Sequence, residues 1–142
     1  MHSKLNNVGV SEAILAELRA ASMAAAQNAY CPYSRFPVGA AVLTAAGGIF
    51  SGCNVENASF GLTICAERNA IFQAVSGGSQ RVVAVVIYTP TANPTAPCGA
   101  CRQVINEFGP DAEIYCFCHG QKELRISMPE LLRHAFGPHN LG

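Results

Sequence analysis

The sequence predicts an α/β protein in which helices alternate with the strands of a layered sheet. Three observations carry that prediction. Val82 to Tyr88 is a continuous apolar, β-branched run of the kind found in central strands buried on both faces. Gly47-Gly48 separates two short apolar segments and reads as a hairpin turn. The remaining segments give the order αββαβαβ(β)α, which places helices between strands.

The first expected element runs from Ser11 to Ala29. It is alanine-rich, lacks Gly and Pro, and repeats Ile14, Leu15, Leu18 and Met23 at helical spacing, with Ser11 as the N-cap. Cys31-Pro32-Tyr33-Ser34-Arg35-Phe36-Pro37 breaks it, because proline offers no N–H and clashes with a preceding helical turn. Val38 to Thr44 and Ile49 to Val55 are the expected hairpin strands. A second helix is expected from Cys65 to Val75, stopped by Gly77-Gly78. Thr89 to Pro97 holds three prolines and reads as a loop. A third helix follows Pro97 and ends near Phe108, before Gly109-Pro110. Ala112 to Cys118 reads as a strand and Leu124 to Ser127 as a short fifth. Pro129, at a first helical position, opens a last short helix through His134.

The 142 residues fit a single domain spanning 1–142, large enough for a real core. Half are apolar and 13% charged, which excludes a disordered chain. Lys plus Arg balance Asp plus Glu at nine each, which argues against a nucleic-acid track, since phosphate neutralisation needs clustered cations. So few charges on a small domain also point to surface buried in an oligomer. No apolar run reaches membrane-spanning length, and the opening Met1 to Asn7 lacks a secretory pattern. A reducing cytoplasm is therefore the expected location, where clustered cysteines bind metal or react more often than they cross-link. Of the seven cysteines, Cys31, Cys53, Cys116 and Cys118 are expected to be small buried hydrophobes, the last two sharing one strand face.

The chemistry is carried by the other three. Cys65-Ala66-Glu67 is followed about thirty residues later by Pro97-Cys98-Gly99-Ala100-Cys101. Cys65, Cys98 and Cys101 supply three thiolates, and a catalytic zinc keeps three protein ligands with a fourth position left for water. Cys98 and Cys101, three apart, can face one way on a helix's first turn, while Cys65 opens another helix. Two helix N-termini aimed at one site stabilise thiolates through unpaired N–H groups. Glu67 stands two residues from Cys65, close enough to take and return a proton. Three thiolates weaken the metal as a Lewis acid, so positive help is needed. Arg68, on the same helix face as Cys65, can supply it by hydrogen-bonding a sulfur. A lone Cys-x-x-Cys is weak evidence, whereas Cys-x-Glu with a distant Pro-Cys-x-x-Cys matches the zinc-deaminase signature.

With these motifs in place, the chain resembles the small three-cysteine cytidine deaminases of nucleoside salvage. The matching blocks are Cys31 to Ala40, Gly52 to Ala58, Leu62 to Arg68, Pro97 to Gln103, and Ala135 to Pro138. The resemblance implies a three-layer α/β/α sandwich with a mixed, roughly five-stranded sheet and one Zn2+ per subunit. It implies hydrolytic deamination of cytidine and 2′-deoxycytidine to uridine and 2′-deoxyuridine with release of ammonia. Phe36 resembles the aromatic that packs on the pyrimidine. Asn54 and Glu56 resemble the pair that binds a ribose hydroxyl, and the backbone of Ala66 the group that orients the base. Phe136 resembles the aromatic lent by a neighbouring subunit, which implies a homotetramer with shared active sites. Phe60 departs from the pattern, where family members often carry Tyr.

Three other readings are distinguishable by experiment. A related deaminase of a cytosine-containing antibiotic such as blasticidin S would prefer that compound to cytidine. A non-catalytic module would close its zinc with a fourth protein ligand. A thiol redox protein would lack zinc and cycle Cys98 and Cys101 between dithiol and disulfide.

Overall fold

The computed structural model describes residues 10–142, so the opening Met1 to Asn7 segment lies outside the described part. Helix α1 is Glu12–Ala26, strands β1 and β2 are Gly39–Thr44 and Ile49–Cys53, and helix α2 is Ala66–Ser76. Strand β3 is Val82–Tyr88, helix α3 Gly99–Phe108, strand β4 Glu113–Phe117, strand β5 Glu123–Ser127 and helix α4 Met128–Leu131. Two 3-10 turns, Phe60–Leu62 and Pro138–Leu141, have no counterpart in the sequence reading.

The five strands form one mixed sheet in the order β2-β1-β3-β4-β5. β1 is antiparallel to both β2 and β3, and β4 is antiparallel to β5. β3 and β4 are parallel, as strands joined by a crossover helix must be, and α3 is that crossover. The sheet is covered on both faces, which makes the expected three layers. Strand alternation sorts the side chains between them. Ala41, Ala84, Val86, Tyr115 and Phe117 pack with Leu15 and Leu18 of α1. Val42, Val85, Ile87, Ile114 and Cys116 pack with Ala70 and Ile71 of α2, Ile105 of α3 and Met128 of α4.

Several boundaries differ from expectation for tertiary reasons. Ser11 does cap α1, its Oγ accepting from the Ile14 N–H at 3.3 Å. The helix stops at Ala26 instead of Ala29 because Tyr30 is drawn into a bridge, donating to Asn54 O and accepting from Glu56 N. Leu15 and Leu18 are buried on α1, whereas Ile14 and Met23 are largely exposed, so the buried stripe runs through Ser22 and Ala26 instead. α1 sits so close to the sheet that a Cβ on Gly39 would come within 1.8 Å of the Ser22 carbonyl oxygen. β2 ends at Cys53, leaving Asn54 and Glu56 just beyond the strand. The last helix ends at Leu131, well before His134, which takes a left-handed backbone conformation at φ 51°. Arg102 Nη1 donates to the Leu131 carbonyl at 3.1 Å, satisfying a terminal acceptor that a longer helix would have used. Cys116 and Cys118 are fully buried as expected, but Cys31 and Cys53 are only half-buried because they flank the exposed bridge of Tyr30 and Val55.

Candidate metal centre and substrate pocket

The carboxyl end of β3, the start of β1 and the end of β2 meet at one edge of the sheet, since Gly39 pairs with both Tyr88 and Cys53. Helices α2 and α3 begin at that edge. In open α/β sheets this is where ligands gather. Cys65 is the N-cap residue of α2 and Cys98 that of α3, and Cys101 lies in the first turn of α3. Their sulfurs all lie within 4.8 Å of one another, and Cys65 Sγ is 3.9 Å from Cys98 Sγ. Tetrahedral zinc with Zn–S bonds of about 2.3 Å sets its sulfurs roughly 3.8 Å apart, so the donor set fits that ion. Among the described residues, this cluster contains three candidate ligands and no fourth.

Arg68 Nη2 donates to Cys65 Sγ at 3.4 Å and to the Thr63 carbonyl at 3.5 Å. The Cys65 thiol is lowered to about 5, first by the hydrogen bond it shares with Cys101, then by Arg68 and Cys98. The Cys101 thiol is pushed up by the same hydrogen bond to Cys65, by burial and by the nearby charge of Glu67. The α3 ligands are held from behind by Arg102, whose Nε donates to the Pro97 carbonyl at 2.8 Å. Sequence reasoning passed over Arg102, although its place directly after Cys101 was a usable signal.

Glu67 is 5% exposed in the first turn of α2. Burial raises its pKa above the ordinary carboxylate value, and the negative charge of Cys65 adds to the rise. It lines a cavity of about 430 Å³ together with Phe36, Asn54, Ala66, Cys65 and Cys98. The same cavity is walled by Ser34, Val38, Thr63, Ile87, Thr95 and Ala96, none of which the sequence had marked.

Of the residues expected at the substrate, Phe36, Asn54 and Ala66 come together around this cavity. Asn54 is also a clamp: its Oδ1 accepts from Val38 N at 2.9 Å and its Nδ2 donates to Phe36 O at 2.8 Å. Glu56 lines an adjoining cavity with Tyr33 and Phe60, reached through Ser34 and Thr63, which wall both. Its Oε1 accepts from Tyr33 N at 2.9 Å and Ser34 N at 3.1 Å. Hydrogen bonds from the Ser34 hydroxyl, and then from the Ser34 and Tyr33 backbones, hold the Glu56 carboxyl below its ordinary pKa. Phe136 is exposed and does not line its own chain's cavity, and its carbonyl accepts from Gln103 Nε2 at 2.8 Å.

Residues 14–118 match the model of the cytidine and deoxycytidylate deaminase zinc-binding region. The chain belongs to this family. It is 49% identical over 113 residues to the cytidine deaminase of Halalkalibacterium halodurans, covering 79% of this chain and 86% of that protein. It is 46% identical over 116 residues to a probable cytidine deaminase of Dictyostelium discoideum, covering 81% and 78% of the two chains. The 1.6 Å crystal structure of cytidine deaminase from Burkholderia pseudomallei superposes with a TM-score of 0.83 at 43% identity, over 89% of this chain and all of that one. Members of this family are zinc-dependent hydrolases, so the metal suited to the three sulfurs is zinc. Among the described residues no helix is long and apolar enough to cross a membrane.

Proposed function

We propose that this deaminase-family chain hydrolyses cytidine and 2′-deoxycytidine to uridine and 2′-deoxyuridine, releasing ammonia, as a step of pyrimidine salvage in the cytoplasm. The observation that carries the reading is the buried Glu67 carboxylate, placed two residues from one sulfur of the three-thiol cluster and on the wall of the same cavity. Cys65, Cys98 and Cys101 would hold the zinc, which when bound would supply Lewis acidity beside the cavity.

Glu67 performs the proton work. Its raised pKa lets it accept a proton from the water that adds at C4 of the base and pass that proton to ring N3. A second proton from the added oxygen returns through Glu67 to the amine, the C4–N bond breaks, and a C4 carbonyl remains. Water thus provides one hydrogen to N3 and one to the departing ammonia, with its oxygen kept on the ring. The backbone of Ala66 sits at the first turn of α2, where N–H groups have no intrahelical partner, and orients the base. Phe36 packs on the ring face.

Asn54 and Glu56 together address a sugar hydroxyl. Each retains hydrogen-bonding capacity after holding the Tyr33 to Val38 loop, since an amide offers two donors and a carboxylate two oxygens. Phe136 serves a neighbouring subunit's site in a homotetramer. Its exposure supports that reading, as do the exposed apolar side chains of Tyr30, Val55, Phe60 and Leu62. Balanced charge supports a free nucleoside as substrate in place of a polynucleotide.

The decisive test is cytidine turnover, read by ultraviolet absorbance and ammonia release, for wild type and Glu67→Gln at matched zinc content. Activity in wild type with a loss of about a thousandfold in the variant is the expected result. Equal rates in the two would remove Glu67 from the chemistry.

A further inference from the structure

Thr89 follows β3 directly and is fully buried, with its hydroxyl at the centre of a chain of three threonines. Thr89 Oγ1 lies 2.8 Å from Thr91 Oγ1 and 3.4 Å from Thr95 Oγ1. Thr91 Oγ1 donates to the Asn93 carbonyl at 2.7 Å. A hydroxyl has a single proton, so donor counting fixes the direction of the chain. Thr91 gives its proton to Asn93, Thr89 therefore donates to Thr91, and Thr95 donates to Thr89.

These hydroxyls sit in the loop that carries one wall of the cavity. The front half of the loop is tied to the sheet end by backbone bonds, from Thr89 N to Phe117 O at 3.3 Å and from His119 N to Thr91 O at 3.1 Å. The back half holds Pro94 and Pro97, which have no N–H to donate. Thr95 and Ala96 nevertheless line the cavity, immediately before the Pro97-Cys98 turn. The contact from Thr95 to Thr89 thus links this wall to the rigid end of the central strand. A buried hydroxyl is costly where an isosteric valine would serve, unless its bonds are used.

We propose that Thr89 is a positioning residue for substrate, acting through Thr95 to hold the Thr95–Ala96 wall of the cavity at its working distance. The inference rests on the deaminase reading above. Removing the hydroxyl frees the wall without touching the sulfurs or Glu67, so the effect falls on substrate binding ahead of the chemical step.

The test compares zinc-loaded wild type, Thr89→Val, Thr89→Ser, Thr95→Val and the Thr89→Val/Thr95→Val double variant in cytidine turnover, with zinc content measured for each. Thr89→Val should raise KM about five- to tenfold, the size of one lost hydrogen bond, with kcat within about twofold and zinc unchanged. Thr89→Ser should restore KM, and the double variant should be no worse than Thr89→Val alone, because the Thr95–Thr89 link that Thr95→Val removes is already lost there. If Thr89→Val does not fold, the half-buried Thr95→Val carries the test, and the same KM rise is expected of it. Wild-type KM in either folded variant, or fully additive effects in the double variant, would overturn the inference while leaving the deaminase reading intact. An inactive zinc-loaded wild type would overturn the deaminase reading and this inference with it.

Discussion

Arg68 Nη2 stands 3.4 Å from Cys65 Sγ, so the cation of α2 touches the ligand that caps the same helix. The contact offsets part of the charge of three thiolates, which otherwise would oppose the Lewis acidity the reaction needs. Arg68→Gln should therefore lower zinc affinity or kcat/KM about 10- to 100-fold. Arg68→Lys should fall between, since an ammonium keeps the charge and loses the flat guanidinium whose Nη2 reaches both Cys65 and the Thr63 carbonyl. Competition with a chromogenic chelator and steady-state kinetics check both; an Arg68→Gln protein indistinguishable from wild type would sink the assignment.

Asn54 bridges Phe36 O and Val38 N across one side chain. Asn54→Ala removes both bonds and frees the segment that carries Phe36, the residue proposed to stack on the base. We expect kcat/KM for cytidine to fall by roughly tenfold or more, mainly through KM, with zinc content unchanged. An unaffected KM would mean that the loop holds its place without the clamp.

Cys116 lies fully buried on β4, and burial pushes its thiol up to about 12, with the Glu67 carboxylate adding to the rise. A raised folded-state pKa means the unfolded chain ionises first. The stability contributed by the neutral thiol is thus fully present below 9.0, and is lost as pH rises from there to about 12. Within that window the loss should approach about 1.4 kcal/mol per pH unit for the single proton. Urea unfolding at pH 8 and pH 10.5 should show a steeper decline for wild type than for Cys116→Ala. Parallel declines would assign the alkaline instability to other groups.

Gly39 lets the sheet approach α1 to a distance no side chain allows, because an added Cβ would lie 1.8 Å from Ser22 O and 2.7 Å from Ala26 N. Both atoms are backbone, so relief requires moving the helix as a body. Gly39→Ala should cost about 3 kcal/mol or prevent folding, whereas Gly61→Ala, with open space around its Cβ, should be near neutral. A pair of urea midpoints decides it.

The sequence was most legible where chemistry and local spacing coincide. Cys98 and Cys101 share a helix turn by their spacing alone, and the glycines and prolines that bound α2, α3 and the hairpin gave those elements to within a residue or two. It was less legible wherever a distant segment claims a backbone group. The end of α1 depends on Tyr30 pairing with the Asn54 to Glu56 stretch, and the end of α4 on Arg102 taking the Leu131 carbonyl. No window around either helix contains that information.

What the sequence determined by itself is the parts list: three thiols, an adjacent carboxylate and cation, an alternation of helix and strand, and the family pattern that joins them. What only the tertiary structure decided is their assembly. Cys65 and Cys98 are 33 residues apart in the chain and 3.9 Å apart at the sulfur, a distance set by α2 and α3 packing side by side on one face of the sheet. The same is true of Glu67, whose raised pKa comes from burial beneath a wall supplied by other segments. Propensity, capping and side-chain periodicity are local and can be read in order. Desolvation and convergence belong to the packed molecule, because they depend on which surfaces exclude water together.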